Sequence, residues 1–126
     1  SGLAMAIAED KNKNIQIIVG AGGGKLPEII IYNGNFSKIV RRFFVDNKKL
    51  KGSVGLASGD INGDGAPEII VVLDFGKTKQ VKTYSLLGKL LSQFKITAGF
   101  NTSPMSAGAA DVNFDGIDEI ILMNGQ

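Results

Sequence analysis

Histidine, cysteine and tryptophan are all absent from this chain of 126 residues. Without His or Cys there is no Ser–His or Cys–His nucleophilic pair, no zinc site of the usual nitrogen and sulfur type, no disulfide and no thiol redox couple. No window of about eleven residues or more repeats its apolar positions at helical spacing. No apolar run reaches the ~18 residues that a membrane-crossing helix needs. Charge of either sign is close to balanced, with 14 basic against 12 acidic residues and a formal net charge of +2.

What the chain does have is one acidic loop written twice, 51 residues apart: DINGDGAPEII from Asp60 and DVNFDGIDEII from Asp111. Oxygen-bearing side chains stand at positions 1, 3, 5 and 9, namely Asp60, Asn62, Asp64 and Glu68, then Asp111, Asn113, Asp115 and Glu119. Gly65 and Gly116 occupy position 6, where a left-handed backbone suits glycine best. Calcium accepts six to eight oxygens at about 2.3–2.6 Å in irregular geometry, so alternate side chains of a tight loop suit it. The carbonyl at position 7, from Ala66 or Ile117, is expected to add a ligand. An EF-hand is excluded, because it needs a bidentate Glu at position 12 and flanking helices, whereas Val71 and Leu122 stand there. Magnesium is less suited because it demands stricter octahedral geometry. The competing reading is an Asp/Asn/Gly turn that needs no cation. Carboxylates this close together repel one another, so a cation-free loop is expected to be loose.

A worn copy lies upstream, where Asp10, Asn12 and Asn14 match positions 1, 3 and 5 of a loop shortened by two residues. Gln16 replaces the position-9 acid and the glycine is gone. This segment is expected to be a structural turn without calcium.

The repetition extends beyond the loops. Each repeat reads as four short strands: a small-residue strand (Leu3–Glu9, Val54–Asp60, Met105–Asp111), an apolar run after the loop, a β-branched and aromatic strand, and a fourth after a turn. Short strands at regular spacing indicate an all-β fold, and a period near 50 points to a propeller or solenoid. The expected architecture is all-β, with β-propeller blades of four antiparallel strands. Residues 1–51 form a blade with the degenerate loop, 52–102 a blade with a calcium loop, and 103–126 the first half of a third. Ala, Gly and Ser in the first strands fit the crowded centre of a propeller, where blades converge. About two and a half blades cannot close a ring of this period, so the chain is expected to belong to a larger propeller or to complete one by self-association.

The pattern at Ser58–Val71, with its partner at Ala109–Leu122, resembles the FG-GAP/VCBS-type β-propeller repeats of integrin α-subunit heads and bacterial surface proteins. The likeness covers nearly the whole chain and is weakest in the first repeat. It implies a calcium-braced hairpin between the first two strands of a blade, with recognition on loops of one face. By that pattern Asp60, Asn62, Asp64 and Glu68, with Asp111, Asn113, Asp115 and Glu119, are the Ca2+ ligands. The family more often carries Asp at position 9, and Glu is one methylene longer.

Two other features have structural readings. Gly20-Ala21-Gly22-Gly23-Gly24 has Lys25 where a dinucleotide-binding turn needs its third glycine, so a flexible hairpin turn is expected. Lys38, Arg41, Arg42, Lys48, Lys49 and Lys51 cluster around the fourth strand of the first repeat. Edge protection is preferred there over binding an anionic polysaccharide or nucleic acid. Calcium loops of this kind suit millimolar extracellular calcium, so an extracellular or cell-surface location is expected. The expected function is non-enzymatic, a calcium-stabilised module for adhesion or recognition of a protein or polysaccharide through its loops. The alternatives are a non-catalytic propeller portion of a carbohydrate-active enzyme and a purely structural, self-assembling repeat.

Overall fold

The computed structural model describes residues 3–50, 52, 54–76, 78–96 and 105–124, which form ten β-strands. They are β1 (Leu3–Glu9), β2 (Ile15–Ala21), β3 (Glu28–Asn33), β4 (Ile39–Phe44), β5 (Val54–Gly59), β6 (Glu68–Asp74), β7 (Lys79–Tyr84), β8 (Leu90–Ile96), β9 (Met105–Ala110) and β10 (Glu119–Asn124). All pairing is antiparallel, in a four-stranded sheet β1-β2-β3-β4, a second β5-β6-β7-β8, and a two-stranded sheet β9-β10. No helix among the described residues is long and apolar enough to cross a membrane.

The central sheet explains why β6 is apolar throughout. Ile69, Val71 and Leu73 point to the first sheet and share a core with Ala8, Ile18, Ile29 and Ile31. Ile70 and Val72 point the other way, joining Val81 against Ala107, Ala109, Ile120 and Leu122 of the third sheet. A strand covered on both faces loses the usual alternation of apolar and polar positions. Each such buried Ile, Val or Leu stabilises the fold by roughly 1.5–3 kcal/mol.

The innermost strands run side by side, β1 against β5 and β5 against β9. Their small residues permit the approach, and Ser58 Oγ donates to the carbonyl of Ile7 at 2.7 Å across the first gap. Gly59 makes the second gap possible. A methyl there would lie 2.5 Å from Cβ of Ala109 and 2.8 Å from Oδ2 of Asp118.

The outermost strands β4 and β8 are exposed along almost their whole length. Their register slips at matching places, between Ile31 and Tyr32 and between Thr83 and Tyr84. Such bulges twist an edge and discourage further pairing. The basic cluster is dispersed along this region. Arg42 Nε donates to Glu28 Oε2 at 2.8 Å, Lys48 Nζ sits 5.9 Å from the centre of the Phe75 ring, and Lys51 lies outside the described residues.

At the end of the sheets away from the acidic loops, the connection from β4 to β5 is strapped down. Val45 and Leu50 are buried, and the Val45 carbonyl accepts from Lys82 Nζ at 2.6 Å and Tyr84 OH at 3.4 Å. Burial first, then the nearby Asp46 charge, pushes the Tyr84 hydroxyl up to about 12. The glycine-rich segment forms the expected hairpin turn between β2 and β3, and it is tied to this strap. Gly23 N–H donates to Gly52 O at 3.1 Å and Gly24 N–H to Leu50 O at 2.9 Å. A methyl at Gly22 would lie 2.5 Å from Leu50 Cδ1 and 2.9 Å from Val54 Cγ2, so those side chains would have to shift to admit it.

Candidate metal centre

Both acidic loops connect the first strand of a sheet to its second. Asp60 follows β5 and Glu68 opens β6, while Asp111 follows β9 and Glu119 opens β10. Antiparallel pairing of Gly59 with Glu68, and of Ala110 with Glu119, brings positions 1 and 9 together at the loop mouth. Position 5 then folds back over them. One carboxylate oxygen from each of Asp60, Asp64 and Glu68 lies within 4.8 Å of the others, and the same holds for Asp111, Asp115 and Glu119. Oxygens on opposite sides of one calcium ion stand about 5 Å apart, so a single ion fits each cluster.

Backbone N–H groups shape the loops. Asp60 Oδ1 accepts from Gly63 at 2.8 Å and Asp64 at 3.1 Å, and its Oδ2 accepts from Gly65 at 2.9 Å. Asn62 Oδ1 accepts from Asp64 N–H at 3.1 Å, and Asp64 Oδ1 from Ala66 N–H at 2.9 Å. Glu68 Oε1 takes Ile61 N–H at 2.9 Å and Asn62 N–H at 3.3 Å. The second loop repeats the scheme. Asp111 accepts from Asp115 and Gly116, Asn113 from Asp115, Asp115 from Ile117, and Glu119 from Val112.

Among the described residues, the second oxygens of Asp64, Glu68, Asp115 and Glu119 accept no hydrogen bond, so each cluster keeps free lone pairs. Outside the strands, the carbonyls of Ala66 and Ile117 accept no backbone hydrogen bond among the described residues. Positions 4 and 6 take left-handed backbones, at Gly63 and Gly65 and at Phe114 and Gly116. The N–H donors also offset part of the carboxylate repulsion.

Glu68 is the buried member of its cluster, at 3% exposure. Desolvation raises its carboxyl above the ordinary value of 4.5, Asp64 and Asp60 add to the rise, and the Ile61 and Asn62 N–H groups pull it down. A raised acid is fully stabilising below 4.5, and that contribution fades as pH climbs through the raised value. In chelator, the melting temperature of the wild type should therefore fall relative to Glu68→Gln as pH rises above 4.5. Parallel pH profiles for the two proteins would contradict this assignment.

Asp118 is the residue that the sequence reading missed. Its N–H donates to Asp60 O at 2.8 Å and its Oδ2 accepts from Asp60 N–H at 2.9 Å. It thereby latches the second loop to the first. Position 8 is Pro67 in the other copy, which has neither an N–H nor a carboxylate to offer. The only sequence signal was this unmatched acid beside Glu119.

The worn loop behaves as a turn held by its own bonds. Asp10 Oδ1 accepts from Asn12 and Asn14 N–H, both at 2.9 Å. Gln16 Oε1 is buried with no partner, in the register of Glu68. No three-acid cluster forms there among the described residues.

Compared with models of known protein families and with curated proteins, the chain matches none.

Proposed function

We propose that this chain is a calcium-braced repeat module of β-propeller type, which acts outside the cell in adhesion or in recognition of a protein or polysaccharide. The observation that carries the reading is the pair of three-carboxylate clusters, each within 4.8 Å, at equivalent turns of adjacent sheets. A cation at either turn ties the end of a first strand to the start of the second. Through Asp118 it also ties neighbouring sheets together. Its role is structural, because the clusters form within the turns themselves. Stacked four-stranded meanders whose first strands converge through Ala, Gly and Ser support the propeller part of the reading.

A second reading, turns that hold their shape without a metal, is favoured by the three backbone N–H groups already on Asp60. Titration calorimetry with calcium separates the two. The proposal expects two ions per wild-type chain, one for Asp60→Ala, none for Asp60→Ala/Asp111→Ala, and an unchanged two for Asp10→Ala. Absence of binding heat at any calcium concentration up to the millimolar range would leave only the metal-free turn.

A further inference from the structure

Between the strap after β4 and the facing end of the second sheet lies a cavity of about 220 Å³, lined by Asp46, Lys48, Phe75, Thr78, Gln80 and Lys95. Its walls come from the first two repeats, which share the core of Ile18, Ile29, Ile31, Ile69 and Val71. Buried Val45 and Leu50 anchor the strap, and Lys82 and Tyr84 hold its Val45 carbonyl. The fold itself therefore keeps the walls in place.

The one acid in the lining is already spent. Asp46 Oδ1 accepts from Lys48 N–H at 3.0 Å, and its Oδ2 pairs with Lys82 Nζ at 3.3 Å. Lys48 and Lys95 form no ion pair among the described residues, so the cavity carries an excess of positive charge. The side chains of Thr78 and Gln80 have no hydrogen-bond partner among the described residues. The first sheet fills the same place differently. Glu28 precedes Tyr32 there as Gln80 precedes Tyr84, and it pairs with Arg42 at 2.8 Å. Phe44 lies opposite Glu28, whereas Lys95 lies opposite Gln80. The second repeat thus has a neutral amide for the acid and a cation for the phenyl ring.

We propose that this cavity binds a carboxylate-bearing sugar, one uronic acid residue of an acidic polysaccharide, with its carboxylate reached by both Lys48 and Lys95. An anion there relieves the repulsion between two ammonium groups, and a cleft of one sign focuses the attraction. Thr78 and Gln80 each offer a donor and an acceptor, which suits ring hydroxyls and would go unused by a bare anion. Phe75 supplies an apolar wall for the C–H face of a sugar ring, and its π-face already attracts Lys48 Nζ at 5.9 Å. Pockets for drug-sized ligands run to about 300–1,000 Å³, so this smaller one admits a single ring rather than a whole nucleotide. The site deepens the recognition part of the proposed function and rests on that reading alone. It is separate from the cation part, because no lining residue belongs to an acidic turn.

Amide NMR of the isotope-labelled chain in calcium tests the site, with the methyl glycosides of glucuronic and galacturonic acid as probes. Saturable shifts at Phe75, Thr78 and Gln80 are expected, with a Kd of about 1 mM or tighter, weakening as salt rises. The uncharged methyl esters of the same sugars should bind about tenfold more weakly, as should Lys48→Ala and Lys95→Ala with the acids. Both lysines are exposed, and an unchanged spectrum away from the cavity confirms that each variant folds. Gln80→Glu, which sets the first repeat's acid beside Lys95, should abolish binding, whereas Lys49→Ala, outside the lining, should not change it. Esters that bind as well as the acids overturn the proposal. So do acetate or inorganic phosphate binding as tightly as the sugars, or AMP binding more tightly. Binding that survives both lysine substitutions puts the sugar elsewhere and overturns it too. A chain that shows no shift with either glycoside at about ten times the expected Kd, yet still binds calcium, loses this site and keeps its cation reading.

Discussion

Chelation with EDTA should lower the melting temperature of the wild-type chain, and Asp60→Ala or Asp111→Ala should each remove part of that shift, Asp60→Ala the larger part. The size follows from linkage. A ligand that binds only the folded state at ~100 times its dissociation constant stabilises it by about 2.7 kcal/mol per site. For a chain of this length each kcal/mol moves the midpoint by roughly 4 °C, so each loop should account for about 10 °C. The effect is asymmetric between loops that look alike. The first loop is flanked by the third sheet through Asp118 and Ile61, and its Glu68 is buried. The second is more exposed, and Phe114 carries a positive φ of 61° where the first loop has Gly63. The Asp60 loop should therefore hold calcium more tightly than the Asp111 loop. Differential scanning fluorimetry over a calcium series reads both the size and the order. Equal melting temperatures in calcium and EDTA would remove the basis for a metal at either turn.

Gly59→Ala, a single added methyl, should destabilise the chain by about 1–3 kcal/mol, as overpacking in a close-packed contact does. The methyl would meet Ala109 Cβ at 2.5 Å and Asp118 Oδ2 at 2.8 Å. Both neighbours belong to the third sheet and its loop, so relief requires β9 to move away from β5. That movement breaks the paired hydrogen bonds between Asp118 and the Asp60 peptide, and calcium affinity at both loops should fall with stability. Gly65→Ala is the control. Its φ of 88° strains a side chain, yet the added methyl meets nothing within 4 Å. Its cost is the ~1 kcal/mol of an unfavourable backbone angle, with β5 and β9 still in contact. Chemical denaturation separates the two variants, and a Gly59→Ala chain as stable as wild type would show that the sheets do not pack as described.

Much of this was legible in the sequence, for reasons that particular residues make plain. The runs at Ile15, Glu28, Glu68 and Glu119 announced strands because they join β-branched apolar residues between Asp, Asn and Gly turns, and the repeat reported each strand more than once. Loop membership was readable because Asp60, Asp64 and Glu68 gain meaning from a spacing that Asp111, Asp115 and Glu119 reproduce. Contacts that depend on a neighbouring sheet were not readable. Asp118 is a local acid until the third sheet brings it to Asp60. Lys79 reads as a polar strand residue, yet it is 1% exposed and pairs with Asp74 at 3.4 Å. The anchored glycine turn at Gly23 and Gly24 likewise depends on a strap some 27 residues further along the chain.

Crystals grown in calcium and measured at a wavelength where that ion scatters anomalously ask the central question in one map. The account predicts one peak ringed by Asp60, Asp64 and Glu68, a second ringed by Asp111, Asp115 and Glu119, and nothing beside Asp10. Flat anomalous density at both acidic turns, under enough calcium to saturate a millimolar site, would contradict it.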